Sequence, residues 1–376
     1  MVLRFIHTSD WQLGKPFGRT PAEARVALQE ARLDVIDALA KHARAHDALW
    51  ILVAGDVFDS PEPGDRVFRQ ALARMKAADD VRWLLLPGNH DPARADGLWS
   101  RLISEAPRNV LTALEPSPID LGDELWVLPA PLQFKRSAED PTAWFEGAET
   151  PPGARRIGLA HGAIQEFGKE GEGTNLIAPD RAKRAGLDYL ALGDWHGRKA
   201  INPHTHYSGT PEPDDFGRDV TGVALLVDLS STGAAPSVQD LAVARHTWAE
   251  TSWQVSSLND LEACLPELAR GVDHRHLVAR VTLTGLVTLA ERVAIRERLE
   301  DGLAHEIRWL DLRLGDLFAR PSDNDLADID AHGVLRVAAE RLLSMSEDAG
   351  PAGRRAATAL ERLYIEHQRA QKQVAA

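Results

Sequence analysis

Two rhythms of apolar and polar positions alternate along roughly the first two hundred residues of the chain. Residues 2–9 read as a strand, residues 21–46 as a helix with an apolar face through Val26, Leu33, Ile36 and Leu39, and residues 49–54 as a buried strand. A helix over 65–77 and a strand over 81–86 repeat the unit. Shorter strand candidates follow at 110–114, 125–129, 157–160, 189–192 and 223–229. This is an α/β pattern with a strand-rich middle, for which two packed sheets with outer helices are expected.

The pattern breaks at Ser230-Ser231-Thr232-Gly233-Ala234-Ala235-Pro236, which has the composition of an exposed loop. Beyond it a strand is expected over 277–283, a helix over 289–304 and a strand over 307–314. Helices over 334–344 and 354–372 close the chain, separated by Asp348-Ala349-Gly350-Pro351. A boundary near 230–245 divides the sequence into a first domain over 1–235, a smaller α+β domain over 245–320 and a helical region over 325–376. The length of 376 residues suits about two domains of ordinary size. No internal repeat is present.

Composition narrows the classes. With 44% apolar and 26% charged residues the chain is globular rather than disordered. Its formal charge of −13 argues against a nucleic-acid coat held by bulk positive charge, but not against an enzyme that meets phosphates through bound cations. The lone Cys264 excludes an internal disulfide framework and a thiolate-cluster zinc site, and a reducing cytoplasm is the simplest home. The first residues read as a strand rather than a signal peptide. The longest uncharged apolar run, 48–55, is under half of a membrane span, so no membrane partner is expected.

Five short segments carry the chemistry, each where an expected strand ends: Ser9-Asp10-Trp11-Gln12, Gly55-Asp56-Val57-Phe58-Asp59, Gly88-Asn89-His90-Asp91, His161-Gly162 and Gly193-Asp194-Trp195-His196. In open α/β sheets ligands gather at the carboxyl ends of strands, where loops converge on one edge. Carboxylates, an asparagine and histidines at one edge form a mixed oxygen and nitrogen set suited to two metal ions. Such a set favours Mn, Fe, Zn or Mg and, lacking thiolate, argues against copper(I).

In these segments the sequence resembles the calcineurin-like metallophosphoesterases, and among them the SbcD-type DNA-repair nuclease subunits. The family pattern D-x-H, GDxxD, GNH[DE], H, GHxH is met intact at 55–59, at 88–91 and at His161. The prolines Pro61 and Pro63, and Tyr207-Ser208-Gly209-Thr210 after the last segment, point to the nuclease branch. The resemblance covers about residues 1–230. It implies a four-layer sandwich of two mixed sheets flanked by helices, with a capping domain behind it. It implies a DNA phosphodiesterase, exonuclease or endonuclease, with two divalent metals, Mn foremost. Asp56 would bridge the metals, Asp10 and His196 would bind one, and Asn89 and His161 the other. His90 would be general acid or transition-state donor, its ring oriented by a hydrogen bond to Asp59. The implied partners are DNA and an SbcC-type coiled-coil ATPase docked on the basic amphipathic stretch 354–372, and a homodimer is compatible with the pattern.

Two positions depart from the family. Gln12 stands where D-x-H has its histidine, and Asp194 where GHxH has its first histidine. With Gln12 ligating through its amide oxygen the set stays at seven and becomes richer in oxygen, favouring Mn or Mg over Zn. Equally, Gln12 is no ligand and the metal beside it binds weakly.

Around the site, His7 reads as a packed strand histidine, and His204 and His206 as exposed edge positions. Trp11 and Trp195 read as wall packing before base-stacking platforms. Lys15, Arg19 and Arg198 flank ligand segments and could meet phosphates. The clusters Lys135-Arg136 and Arg181/Lys183-Arg184 are ordinarily solvated surface. Two further readings stay open: a phosphoesterase for small nucleotides, and a degenerate scaffold that regulates a partner ATPase.

Overall fold

The computed structural model of the protein describes residues 2–165, 174–217, 222–268, 270–319, 325, 329, 333–348 and 350–375. The chain divides into two compact units, Met1–Thr247 and Trp248–Ala376. The first begins with four parallel strands, β1 (Leu3–Thr8), β2 (Trp50–Val53), β3 (Arg82–Leu85) and β4 (Val110–Thr112), in the order of the sequence. The helices α1 (Ala22–Ala45), α2 (Asp65–Ala77) and α3 (Leu98–Glu105) connect them. A second sheet is built from β5 (Ile119–Asp120), β6 (Leu125–Ala130) and β7 (Arg155–His161). After a ribbon of β8 (Ala163–Ile164) and β9 (Leu176–Ile177), it takes up β10 (Tyr189–Gly193), β11 (Lys199–Asn202) and β12 (Thr205–Tyr207), in the order β11-β12-β10-β7-β6-β5. Then β13 (Val223–Leu229) returns antiparallel to β1, and β14 (Ser237–Ala242) pairs with β13.

The period of two decides the layers. In the first sheet Phe5, Leu52, Leu84, Leu225 and Val227 turn inward and meet Val127, Ile157, Leu159, Tyr189 and Ala191 of the second. The alternate residues Ile6, Ile51, Val53, Trp83 and Leu85 face outward onto Leu33, Ile36, Leu39, Phe68, Met75, Trp99 and Leu102 of the helices. The far face of the second sheet is covered by Phe145, Ile164, Ile177, Ala182 and Leu187, so this outer layer consists of a 3₁₀ turn, one helical turn and the short ribbon. The unit is thus a four-layer α/β sandwich whose sheets are each buried on both faces. That burial is why β2 and β3 read as continuous apolar runs.

Three expectations change. Val26 is 66% exposed: the buried line of α1 runs through Leu28, Arg32, Val35 and Leu39, and a step of two residues turns Val26 by about 160° to the other side. His206 is buried rather than exposed, because β11 lies outside β12, and its ring stacks on Tyr189 at 5.5 Å. Arg181 is no solvated cation; it pairs with Asp140 and Glu146.

The second unit holds a sheet of β15 (Thr247–Gln254), β16 (Leu277–Val287) and β17 (Trp309–Ala319), the last two parallel. The helices α4 (Leu258–Leu268) and α5 (Leu289–Glu297) accompany it, with Val255, Leu261, Val281, Leu283, Ile295 and Leu317 in one core. The expected helix over 289–304 is interrupted at 298–303 by a π-turn. Two helices close the chain, α6 (Val334–Ser346) and α7 (Pro351–Ala375), the second opening on a proline, which suits a first turn whose N–H groups have no intrahelical partner. Leu360 and Tyr364 of α7 are buried with Leu289, Ile329 and Ala339, so part of the face expected to receive a partner packs inward, while Ala359 on the same helix is exposed. Residues 320–324, 326–328 and 330–332, where the helical region was expected to begin, lie outside the described residues.

Candidate metal centre

The five segments leave β1, β2, β3, β7 and β10 at the same end of the two sheets, and their side chains converge there. Asp10, Asp56 and His161, all buried, offer one ligand atom each within 4.8 Å of one another. The backbone turns abruptly to achieve this. Asp10, Gln12, Asp56 and Asp194 have φ of 55°, 43°, 55° and 97°, left-handed values that non-glycine residues reach only under constraint. Gly55, at φ 88°, lies against the His161 ring, where a Cβ would come within 2.6 Å of Cγ.

The chemistry of the donors fixes which atoms face the centre. His161 gives Nδ1–H to the Ala54 carbonyl at 2.9 Å, so Nε2 points to Asp56 Oδ1 at 3.5 Å and Asp194 Oδ1 at 3.7 Å. Asn89 donates Nδ2–H to Asp194 Oδ1 at 2.8 Å, which turns its oxygen inward. Both His161 Nε2 and Asn89 Oδ1 are buried without a hydrogen-bond partner. Burial opposes charge on His161, but Asp56, Asp10 and Asp194 push its pKa up to about 9. Burial likewise raises the Asp10 carboxyl, the histidines His161 and His196 opposing. Two buried ligand atoms without partners, among carboxylates that favour positive charge, are the electrostatic complement of a divalent cation, which can displace the proton from His161, so these residues fit one.

On the other flank, His196 lies with Nε2 3.9 Å from Asp10 Oδ1 and gives Nδ1–H to Asp214 at 3.2 Å. Asp214 also pairs with Lys15 and, at 3.6 Å, with Arg32. Burial opposes ionisation of Asp214, yet the hydrogen bond from His196 and the charges of Arg32, His196 and Lys15 hold its carboxyl far below the usual range. Arg32, 1% exposed, donates to the carbonyls of Asp10, Trp11 and Glu212 and so ties the first site loop to the segment after β12. Gln12 turns its amide nitrogen to His196 Nε2 at 3.3 Å, while its oxygen accepts from Lys15 at 3.1 Å. One lone pair of the oxygen that could ligate a metal is therefore engaged by an ammonium.

His90 stands at the rim with its ring 37% exposed. Its Nδ1 is bound to the Asp59 backbone carbonyl at 3.0 Å, and the Asp59 carboxylate is 4.0 Å away, so the expected orienting bond comes from the main chain. Asp91, to which the motifs alone give no role, accepts from the backbone N–H of Gly88 at 2.7 Å and of Phe58 at 3.0 Å and thereby joins the second and third loops. Of the candidate phosphate contacts, Arg19 is exposed, Lys15 is held by Gln12 and Asp214, and Arg198 is engaged by Asp240 at 3.0 Å. Trp11 is buried edge-on against Trp83, whereas Trp195 is 45% exposed with the Lys199 ammonium 5.3 Å from its ring centre.

The sequence model of the calcineurin-like phosphoesterases matches residues 3–227, the greater part of the chain and the whole stretch that carries these loops. The chain belongs to this family. It is a metal-dependent hydrolase of the phosphoesterase class. It is 30% identical over 285 residues to the SbcD component of the SbcCD nuclease of Rhodobacter capsulatus, an alignment covering 62% of this chain and 68% of the relative. The Bacillus subtilis protein of the same name is 32% identical over 92 residues, 24% of this chain and 22% of that one. Among solved structures, a dimetal phosphatase from Danio rerio matches with a TM-score of 0.37 at 11% identity, over 63% of this phosphoesterase and 98% of that chain. Among the described residues no helix is long and apolar enough to cross a membrane.

Proposed function

We propose that this phosphoesterase is a DNA phosphodiesterase, the nuclease component of an SbcCD-like repair complex working in the cytoplasm. The observation that carries the reading is the pair of orphaned buried ligand atoms: His161 Nε2, 3.5 Å from Asp56 and 3.7 Å from Asp194, and Asn89 Oδ1, whose amide nitrogen is bound to that same Asp194. Asp56, Asn89, His161 and Asp194 would hold one divalent cation and Asp10, Asp56 and His196 a second, with Mn preferred by so oxygen-rich a set. Bound there, the cations supply Lewis acidity for attack of water on phosphorus. His90 reaches the mouth from the rim with Nδ1–H held by the Asp59 carbonyl, so that the ring, when doubly protonated, would present Nε2–H to the leaving oxygen and return to the neutral Nδ1–H form after giving up that proton. Exposed Trp195 beside Lys199 suits a nucleobase with its phosphate, a feature that a nucleic acid and a small nucleotide share. The similarity to named SbcCD nuclease components supports the choice of a nucleic acid. A coiled-coil ATPase would dock on the closing helices, where Val334, Val337 and Met345 of α6 are exposed beside the exposed side of α7.

The test is hydrolysis of single- and double-stranded DNA by chelator-treated protein, with Mn, Mg, Fe or Zn restored in turn, against a small chromogenic phosphodiester. Metal-restored cleavage of DNA is expected. Hydrolysis of the small ester alone would assign a small-nucleotide phosphoesterase, and silence with every metal would leave the regulatory scaffold.

A further inference from the structure

Lys15 is donor only, so the Gln12 atom 3.1 Å from its ammonium must be the amide oxygen. The orientation of this amide is thereby set by chemistry: Nε2–H points to His196 Nε2. The Asp214 carboxylate, which only accepts, requires the His196 proton on Nδ1, so in the neutral ring the lone pair of Nε2 is the acceptor for Gln12. That lone pair is also the one that a cation beside Asp10 would need, and only the neutral ring offers it. Lys15 is itself anchored by Asp214, and Asp214 is held from behind by buried Arg32.

We propose that Lys15 and Gln12 form an internal plug on the Asp10–His196 flank of the centre. The plug keeps that flank from binding a cation until the Gln12 amide rotates away, leaving a tight cation position at Asp56, Asn89, His161 and Asp194 and a weak, exchangeable one beside it. Lys15 is then a positioning residue acting through Gln12, and the activity of the centre responds to the concentration of free divalent metal. The inference rests on the metal-dependent reading of the site and adds to it which half is regulated and by what.

The experiment is Mn(II) binding to the chelator-treated full chain, followed by the electron paramagnetic resonance signal of free Mn and by calorimetry. The wild-type protein should bind one Mn at least about tenfold more tightly than a second, the scale on which groups behind a ligand change metal affinity. Lys15→Met releases the Gln12 oxygen and should tighten the second Mn about tenfold. In a Gln12→Ala background, Lys15→Met should change it less than about twofold, since the group through which Lys15 acts is gone. Equal tightening with and without Gln12 would reduce Lys15 to a repelling charge and overturn the plug, as would two equally tight sites in the wild type. A protein that bound no Mn at all would instead overturn the metal-dependent reading, and the plug with it.

Discussion

Gly88 lies so close to Asp56 that a Cβ there would run into the Asp56 carboxylate and its backbone nitrogen. The third loop can bring Asn89 and His90 to the centre only because this position carries no side chain. Gly88→Ala should therefore displace Asp56 while leaving the sandwich intact, since the packed residues of both sheets are untouched. The expected result is loss of Mn affinity by about one to two orders of magnitude with an unchanged circular dichroism spectrum. Wild-type Mn affinity in this variant would show that the loops give way more easily than their packing indicates.

The roles of His90 and Asp59 separate cleanly. His90→Ala should keep its metals and lose about 10²–10⁴ in rate, as expected for a lost proton donor. Asp59→Ala keeps the main-chain carbonyl that holds the ring, so its rate should fall by less than about tenfold. Metal content by atomic absorption together with turnover distinguishes them. An Asp59→Ala loss as deep as that of His90→Ala would restore the carboxylate to the orienting role.

The strand ends were legible in the sequence because β2 and β3 are apolar runs that stop at glycine-bearing motifs, and both the sheet order and the convergence of Asp10, Asp56 and His161 follow from that. Partners far apart in the chain were not legible. Nothing local to Asp214 announces that it holds His196, Lys15 and Arg32 together. One signal was present: Arg32 lies one helical turn from both Leu28 and Ile36, on the buried side of α1, where a charge is expensive unless it is satisfied. The direction of the Gln12 amide was beyond any periodicity, being decided by Lys15 three residues on in a loop of irregular backbone.

That cluster gives a stability prediction. Asp214→Ala would leave the buried guanidinium of Arg32 with only carbonyl and hydroxyl partners, and breaking one side of a buried pair typically costs about 3–5 kcal/mol. Denaturant unfolding should show a loss of that order for the first unit. Arg32→Leu/Asp214→Leu together should be less destabilising than the two single losses summed, because neither charge is then left alone.

His7 provides a pH dependence with a definite sign. It lies fully buried on β1 with Nδ1 on the Tyr189 hydroxyl at 3.0 Å, and burial, with His206 and Arg198 nearby, lowers its pKa to about 3. The unfolded chain protonates this histidine near pH 6.5, so between that value and about 3 the unfolded state binds more protons and stability falls as pH falls. One unit below the unfolded pKa, at about pH 5.5, the loss attributable to His7 is about 1.4 kcal/mol. His161, whose pKa is raised, acts in the opposite sense above neutrality, so the absolute profile mixes the two. The difference between wild type and His7→Gln, measured as the change in urea stability between pH 7.5 and 5.5 in chelated protein, isolates the His7 contribution. The variant should be weaker at pH 7.5, having lost a packed ring, and should lose about 1.4 kcal/mol less on acidification. Parallel profiles for the two proteins would mean that His7 takes up its proton in the folded state as readily as in the unfolded one.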